Sequence, residues 1–177
     1  MSVTVVADAE SLYAAHRQGV FRYLCRAVGH ADTARDLTQD VFLRIARTAV
    51  PRDSEGGVRA WVFRIARNLA IDHQRARRRT PGASNVHDVV VASAPAQDVS
   101  AAVNEALATL GDVDRDVFLL REVAGLGYDD IARACGLTPD AVRSRIHRTR
   151  LELRARLAAP IARQTARPMR LRTHESE

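Results

Sequence analysis

Lysine is missing altogether from this chain: all 27 of its basic side chains are arginine, against 21 acidic ones, for a net charge of +6. Such a balance favours a polyanionic partner, although a GC-rich genome also raises arginine content, so composition alone leaves the partner open. Aromatic residues are scarce, at 5%, while hydrophobic residues reach 46%. That pairing argues against large sheets and for cores packed from Leu, Val and Ala on helices. Only two cysteines occur, Cys25 and Cys135, far apart and without metal-like neighbours. They read as core residues of a reducing compartment and not as a disulfide. No apolar run approaches the roughly 18 residues of a membrane helix. The N-terminal MSVTVVADAE lacks the basic region of a signal peptide. A cytoplasmic protein without membrane insertion is expected. The six histidines are scattered and form no HxxxH or HExxH pattern. Asp129 and Asp130 are adjacent in a first helical turn, where carboxylates favour the helix dipole rather than act as a catalytic pair. No catalytic site, metal or cofactor is expected.

Charge is distributed by segment. Residues 1–79 carry 14 Arg and 8 acids; residues 80–103 carry no Arg and 2 acids. Residues 104–159 carry 9 of each, and the tail 160–177 carries 4 Arg and 2 acids. The stretch 80–103 opens on Pro81-Gly82 and is rich in Ala, Ser, Val and Pro, which reads as a linker whose last residues enter the next helix. Apolar spacing predicts helices over about 8–29 (Leu12, Val20, Leu24, Val28), 32–48 (Leu37, Val41, Ile45, with Asp32 as cap) and 57–78 (Val58, Trp61, Val62, Ile65, Leu69). Further helices are expected near 99–110 and 112–124. No strand-like alternation or internal repeat stands out. The expected fold is all-α, two small helical domains at 1–79 and 104–159 joined by a flexible linker, with a basic tail at 160–177 expected to be disordered.

The stretch Tyr128–Leu157 reads as a short helix, a tight turn and a longer basic helix. Ile131 and Ala132 form the inner face of the first helix, and Gly136 ends it where a left-handed residue costs little. Thr138 caps the second, with Pro139 at its first position. Val142, Ile146, Leu153 and Leu157 hold its inner face, while Arg143, Ser144, Arg145, His147, Arg148 and Arg150 occupy the others. A helix of this kind suits a DNA major groove; a solvated helical hairpin is the alternative. Residues 104–140 hold 3 Arg and 8 acids, and residues 141–159 hold 6 Arg and 1 acid. The acidic part either repels DNA from the wrong face, attracts a basic protein, or is simply solvated. The helix at 57–78 is the second nucleic-acid candidate. Arg64, Arg67, Asn68, Asp72 and Arg75–Arg79 fall on or near its exposed side, and Trp61 shares the core face with Ile65.

Three blocks, DLTQDVFLRIAR (36–47), RAWVFRIARNLAIDHQRARRR (59–79) and LGYDDIARACGLTPDAVRSRIHRTRLELRARL (126–157), stand in an order that resembles the extracytoplasmic-function (ECF) group of RNA polymerase sigma factors. The resemblance covers about residues 10–158. It implies a sigma-2 domain at 10–79 and a sigma-4 helix–turn–helix domain at 104–159, in a promoter-specificity subunit that is not an enzyme. It implies core RNA polymerase as partner, through the β′ coiled coil and the β flap, with Asp36, Gln39, Asp40 and Phe42 at the β′ contact. From the residues alone, Phe42 either reaches outward beside those acids or packs within its own domain. The resemblance also implies −10 promoter contacts from Asp53, Ser54, Glu55, Gly56, Gly57 and Val58, and from Arg64, Asn68, Asp72 and Arg75. Contacts to the −35 element fall on Arg143, Ser144, Arg145, His147 and Arg148. An anti-sigma factor is a further implied partner. Two departures stand out: Val58 replaces a bulky residue before the Arg-x-Trp, and Gly127 replaces a Ser or Thr cap. Twenty-four linker residues reach at most about 80 Å, enough for two readers on one promoter. An autonomous helix–turn–helix regulator and a non-DNA-binding adaptor are the rival readings.

Overall fold

The computed structural model describes residues 9–48, 57–79 and 94–165, with side chains described for all of these except 94–100 and 159–165. Seven helices make up the described residues: α1 (Ala9–Val28), α2 (Ala31–Ala46), α3 (Gly57–Arg79), α4 (Ala94–Ala108), α5 (Asp112–Glu122), α6 (Tyr128–Cys135) and α7 (Pro139–Thr165). No strand occurs among them. The all-α expectation therefore holds.

Helices α1, α2 and α3 pack on one another through Leu12, Val20 and Leu24, Val41 and Ile45, and Trp61 and Val62, all buried. These are the residues that recur at three- and four-residue intervals, so each helix turns one stripe inward. Two differences from the sequence expectation have local causes. Asp32 does not cap α2. Only Gly29 and His30 separate α1 from α2, and extended His30 (φ −133°, ψ 127°) becomes the N-cap residue. Asp32 sits in the first turn instead, paired with Arg35 at 2.5 Å. The expected linker is also shorter than 80–103, because α4 starts at Ala94. Alanine has the highest helix propensity, and Pro95 lies in the first turn, where its missing N–H costs no helical bond. At the other end α7 continues through Pro160 to Thr165, into the stretch expected to be disordered. The rest of that tail and the segment 80–93 lie outside the described residues.

The helix–turn–helix forms as its sequence dictates. Gly136 ends α6 at φ +66° and ψ +39°, a left-handed conformation that favours glycine. Thr138 Oγ1 accepts a hydrogen bond from the Ala141 amide at 3.2 Å, capping α7. Val142, Ile146 and Leu153 are buried, with Leu157 partly so. Gly127 is the residue before α6 and offers no side-chain cap, in line with the departure noted above.

The two helical groups do not stand apart. Helix α1 packs on α5 and α3 touches α6. Arg67 Nε donates to Asp116 Oδ2 at 3.0 Å, and its Nη1 donates to the Ala134 carbonyl at 3.0 Å. Arg59 Nε donates to the Ala124 carbonyl at 2.7 Å, beside Gly125 at φ +66°. Arg78 Nη2 contacts both oxygens of Asp112, at 3.0 and 2.7 Å, and Arg26 donates to Asn104 Oδ1.

Candidate nucleic-acid interface

Helix α3 has three faces, because its 23 residues pass six times around the axis and neighbours three or four apart align. Its first face, centred on Val62, Ala66 and Ala70, is buried against α1 and α2. Its second carries Arg59, Arg67 and Arg78 onto the α4–α7 group. The third consists of Arg64, Asn68, Asp72 and Arg75, all exposed and with no side-chain partner among the described residues. Four of the expected −10 residues thus share one open stripe. Arg67, expected near the exposed side, is instead 16% exposed and bound to the second group. Of the loop residues, Gly57 begins α3 and Val58 is partly buried. Asp53, Ser54, Glu55 and Gly56 lie outside the described residues.

On α7, Arg143, Ser144, His147 and Arg148 are exposed along one side, and Arg148 has no partner among the described residues. Arg143 is paired with Asp140 at 2.6 Å, and its guanidinium lies 5.4 Å from the Tyr128 ring centroid. Arg121 covers the same ring at 4.8 Å. Tyr128 therefore holds Arg143 at the start of the helix, a role that sequence reasoning did not assign. Arg145 turns the other way, half-buried, with Nη1 donating to Asp114 at 2.7 Å. It braces α7 against α5.

The acidic stretch that precedes α7 is largely neutralised from within. Asp112 is bound by Arg78 and Arg115, Asp114 by Arg145, Asp116 by Arg67, Glu122 by Arg150 and Asp130 by Arg133. Burial pushes the Asp116 carboxyl up from its usual range, outweighing the pull of Arg67 and Arg115. The thiols of Cys25 and Cys135 are likewise raised by burial, so they behave as core groups and not as thiolates.

Helix α2 presents a stripe of different character. Asp36, Gln39, Asp40 and Leu43 are exposed, Leu43 at 45%. Phe42 is buried and meets Tyr13 edge-on, ring centroids 5.0 Å apart. Phe42 thus packs within its own domain, against α1. Beside it a groove of about 840 Å3 runs between α1 and α2, lined by Tyr13, Arg17, Phe21, Gln39, Phe42 and Leu43. Tyr13 and Leu43 supply its exposed apolar surface. Leu43 was legible as an apolar residue off the Leu37/Val41/Ile45 stripe, four positions after Gln39; Tyr13 carried no such signal.

The family models for Sigma-70 region 2 and Sigma-70, region 4 match residues 12–80 and 100–153. A probable RNA polymerase sigma-C factor of Mycobacterium bovis is 34% identical over 149 residues, which is 80% of this chain and 78% of the relative. The chain belongs to the ECF group of the sigma-70 family. As a sigma factor it serves promoter-directed transcription initiation by RNA polymerase. It is also similar to the RNA polymerase sigma factor YlaC of Bacillus subtilis, 29% identical over 82% of this chain and 89% of that one. The ECF sigma factor SigE of Mycolicibacterium smegmatis is 33% identical over 84% of this chain, which spans 61% of that relative's length. Among solved structures, CnrH in complex with the cytosolic domain of CnrY superposes with a TM-score of 0.65 at 26% identity, over 85% of this sigma factor and 88% of CnrH. The sigma factor RpoE of Bartonella quintana, with the anti-sigma factor NepR, shares the fold at a TM-score of 0.69 and 24% identity, over 86% and 98% of the two chains. No described helix of this sigma factor is long and apolar enough to cross a membrane.

Proposed function

We propose that this sigma factor reads promoters through two separate helix faces while a third surface docks on core RNA polymerase. The observation that carries the reading is the pair of open polar stripes on the two family domains, Arg64/Asn68/Asp72/Arg75 on α3 and Arg143/Ser144/His147/Arg148 on α7. Asn and Arg side chains pair with base edges and phosphates in the geometry that grooves present. The α3 stripe reads the −10 element, joined by Asp53–Gly56 and Gly57 and Val58, and assists melting by holding an unstacked base. The α7 stripe reads the −35 duplex, Tyr128 steadying Arg143.

Core polymerase meets the Asp36/Gln39/Asp40/Leu43 stripe and the adjoining groove through its β′ coiled coil, and the β flap meets the α4–α7 domain. Exposed apolar groups ringed by acids suit such a contact. An anti-sigma factor is the regulatory partner, in keeping with the complexes in which CnrH and the Bartonella RpoE were solved. The tether is shorter than the sequence implied. Residues 80–93 extend at most about 50 Å, and the first ten residues of α4 add about 15 Å as helix. That total is just under two DNA turns of about 34 Å each.

Pulldown with core polymerase followed by run-off transcription on genomic fragments tests the reading. Core binding and transcripts that start at discrete promoters are expected. An autonomous helix–turn–helix regulator would give neither, and that outcome would remove the proposal.

A further inference from the structure

The first turn of α7 places a carboxylate in line with the Arg143/Ser144/His147/Arg148 stripe. Asp140 is the second residue of the helix, and its side chain is 89% exposed. It is not the cap, because Thr138 Oγ1 already accepts the Ala141 amide. Asp140 Oδ1 instead accepts a hydrogen bond from Arg143 Nη1 at 2.6 Å. A carboxylate at this place is unfavourable near DNA, since it repels phosphates. The pair contributes little stability in return, because both partners are solvated, Arg143 at 58%. Similar first-turn pairs occur at Asp32–Arg35, Asp112–Arg115 and Asp130–Arg133. None of those arginines belongs to a promoter-facing stripe; Arg143 does.

Arg143 is also held from a second side. Its guanidinium lies over the Tyr128 ring, 5.4 Å from the centroid, and Arg121 lies over the same ring at 4.8 Å. Arg121 is itself fixed, its Nη1 donating to the Leu126 carbonyl at 2.8 Å. An unbraced arginine spreads over many rotamers and serves any phosphate within reach. A guanidinium fixed by a carboxylate and a ring presents its remaining donors in one orientation and loses less freedom on binding. Arg148, on the same stripe, has no partner among the described residues. The two arginines are thus prepared for different tasks.

We propose that Asp140 is a positioning residue for −35 recognition: with Tyr128 it sets the Arg143 guanidinium for a bidentate contact with guanine O6 and N7, and its charge disfavours binding that rests on phosphates alone. The inference rests on the reading of α7 as the −35 reader. Arg143 then carries base preference at one position, while the unbraced Arg148 grips the backbone whatever the sequence.

The test uses holoenzyme assembled from the full chain and core polymerase. A promoter that the wild-type holoenzyme selects from randomised duplex is varied at each base pair of its −35 element, and binding to every variant is measured. Arg143→Ala is expected to remove a guanine preference at one position, whereas Arg148→Ala weakens all sequences alike. Asp140→Asn should lower the preference at the Arg143-dependent position by about three- to tenfold. It should also raise affinity for unrelated duplex by about twofold. In the Arg143→Ala background, Asp140→Asn should change no base preference. Asp129→Asn makes the same charge change at an exposed residue in the first turn of α6 and should leave the wild-type profile as it is. An unaltered guanine preference in Asp140→Asn overturns the positioning role. So does a change that persists without Arg143, which would make Asp140 a base reader in its own right. An equal loss at every sequence, or the same altered profile in Asp129→Asn, also overturns it, as the mark of a structural or purely electrostatic carboxylate. If Arg143→Ala altered no position at all, the reading of α7 would fall first, and the role of Asp140 with it.

Discussion

Arg67 and Arg64 are three positions apart on one helix, yet their environments are opposite. Arg64 is exposed without a partner, while Arg67 is 16% exposed against an Asp116 that is 14% exposed. Removing one member of a buried pair leaves the other uncompensated. Arg67→Ala is therefore expected to destabilise the chain by about 3 kcal/mol, against about 0.5 kcal/mol or less for Arg64→Ala, both measured by urea unfolding. Spacing could not separate these two residues, because it reports which face a residue lies on and not what is docked there. Tyr23 and Phe63 escaped for a similar reason. They meet edge-on at 5.8 Å, off the stripes that the apolar period picks out. Histidine titration adds a pH dependence. The pKa of His73 is lowered by burial and then by Arg77 and His30, and that of His16 by burial and then by Arg59. The folded chain thus binds fewer protons than the unfolded one below the ordinary value of 6.5. Stability is full above that value and is lost as pH falls through it toward the depressed folded values. The melting temperature should fall between about pH 8 and pH 5.5, and His73→Gln should flatten that slope; an unchanged slope would remove His73 as a contributor.

At the scale of the element, the helix–turn–helix was the most legible part of the chain, since each of its punctuating residues acts locally. Gly136, Thr138 and Pro139 fix a turn whose geometry needs nothing from elsewhere. Gly136→Ala must hold a side chain at φ +66° and should cost about 1–2 kcal/mol; Thr138→Ala should cost about 1 kcal/mol. Both shifts are readable as lowered thermal midpoints. The start of α2 was misread because the cap there is set by a two-residue link to α1, a tertiary constraint that leaves no mark on Asp32 itself. On α7, the role of Tyr128 depends on a ring from another helix lying under Arg143. A cation–π contact near the surface contributes about 0.5–1 kcal/mol. Tyr128→Leu should therefore weaken −35 duplex binding by about two- to fivefold. Tyr128→Phe keeps the ring and should restore it; equal losses in both variants would assign the effect to the hydroxyl or to folding instead.

For the whole molecule, the contact between the two helical groups was not legible in the sequence, because the charges that join them read as separate surface features until Arg67, Arg78, Asp112 and Asp116 are brought together. The same assembly leaves three surfaces outward: the α3 stripe, the α7 stripe and the α2 stripe with its groove. If these carry different partners, their losses must be separable. Phe42 is a poor probe of docking, since it is buried and its truncation opens a cavity that costs about 3–5 kcal/mol. Gln39 and Leu43 are exposed and can be changed with little effect on stability. Gln39→Ala with Leu43→Ser removes an amide and an exposed apolar side chain from the α2 face, and is expected to weaken core-polymerase binding by about tenfold, or about 1.4 kcal/mol. Duplex DNA binding by the free chain should not change, because neither residue lies on α3 or α7. Arg143→Ala with Arg148→Ala should do the reverse, abolishing −35-dependent initiation while core binding measured by pulldown stays intact. A variant of either kind that lost both activities would mean that polymerase and the −35 duplex share a surface, and the three-face arrangement would have to be abandoned.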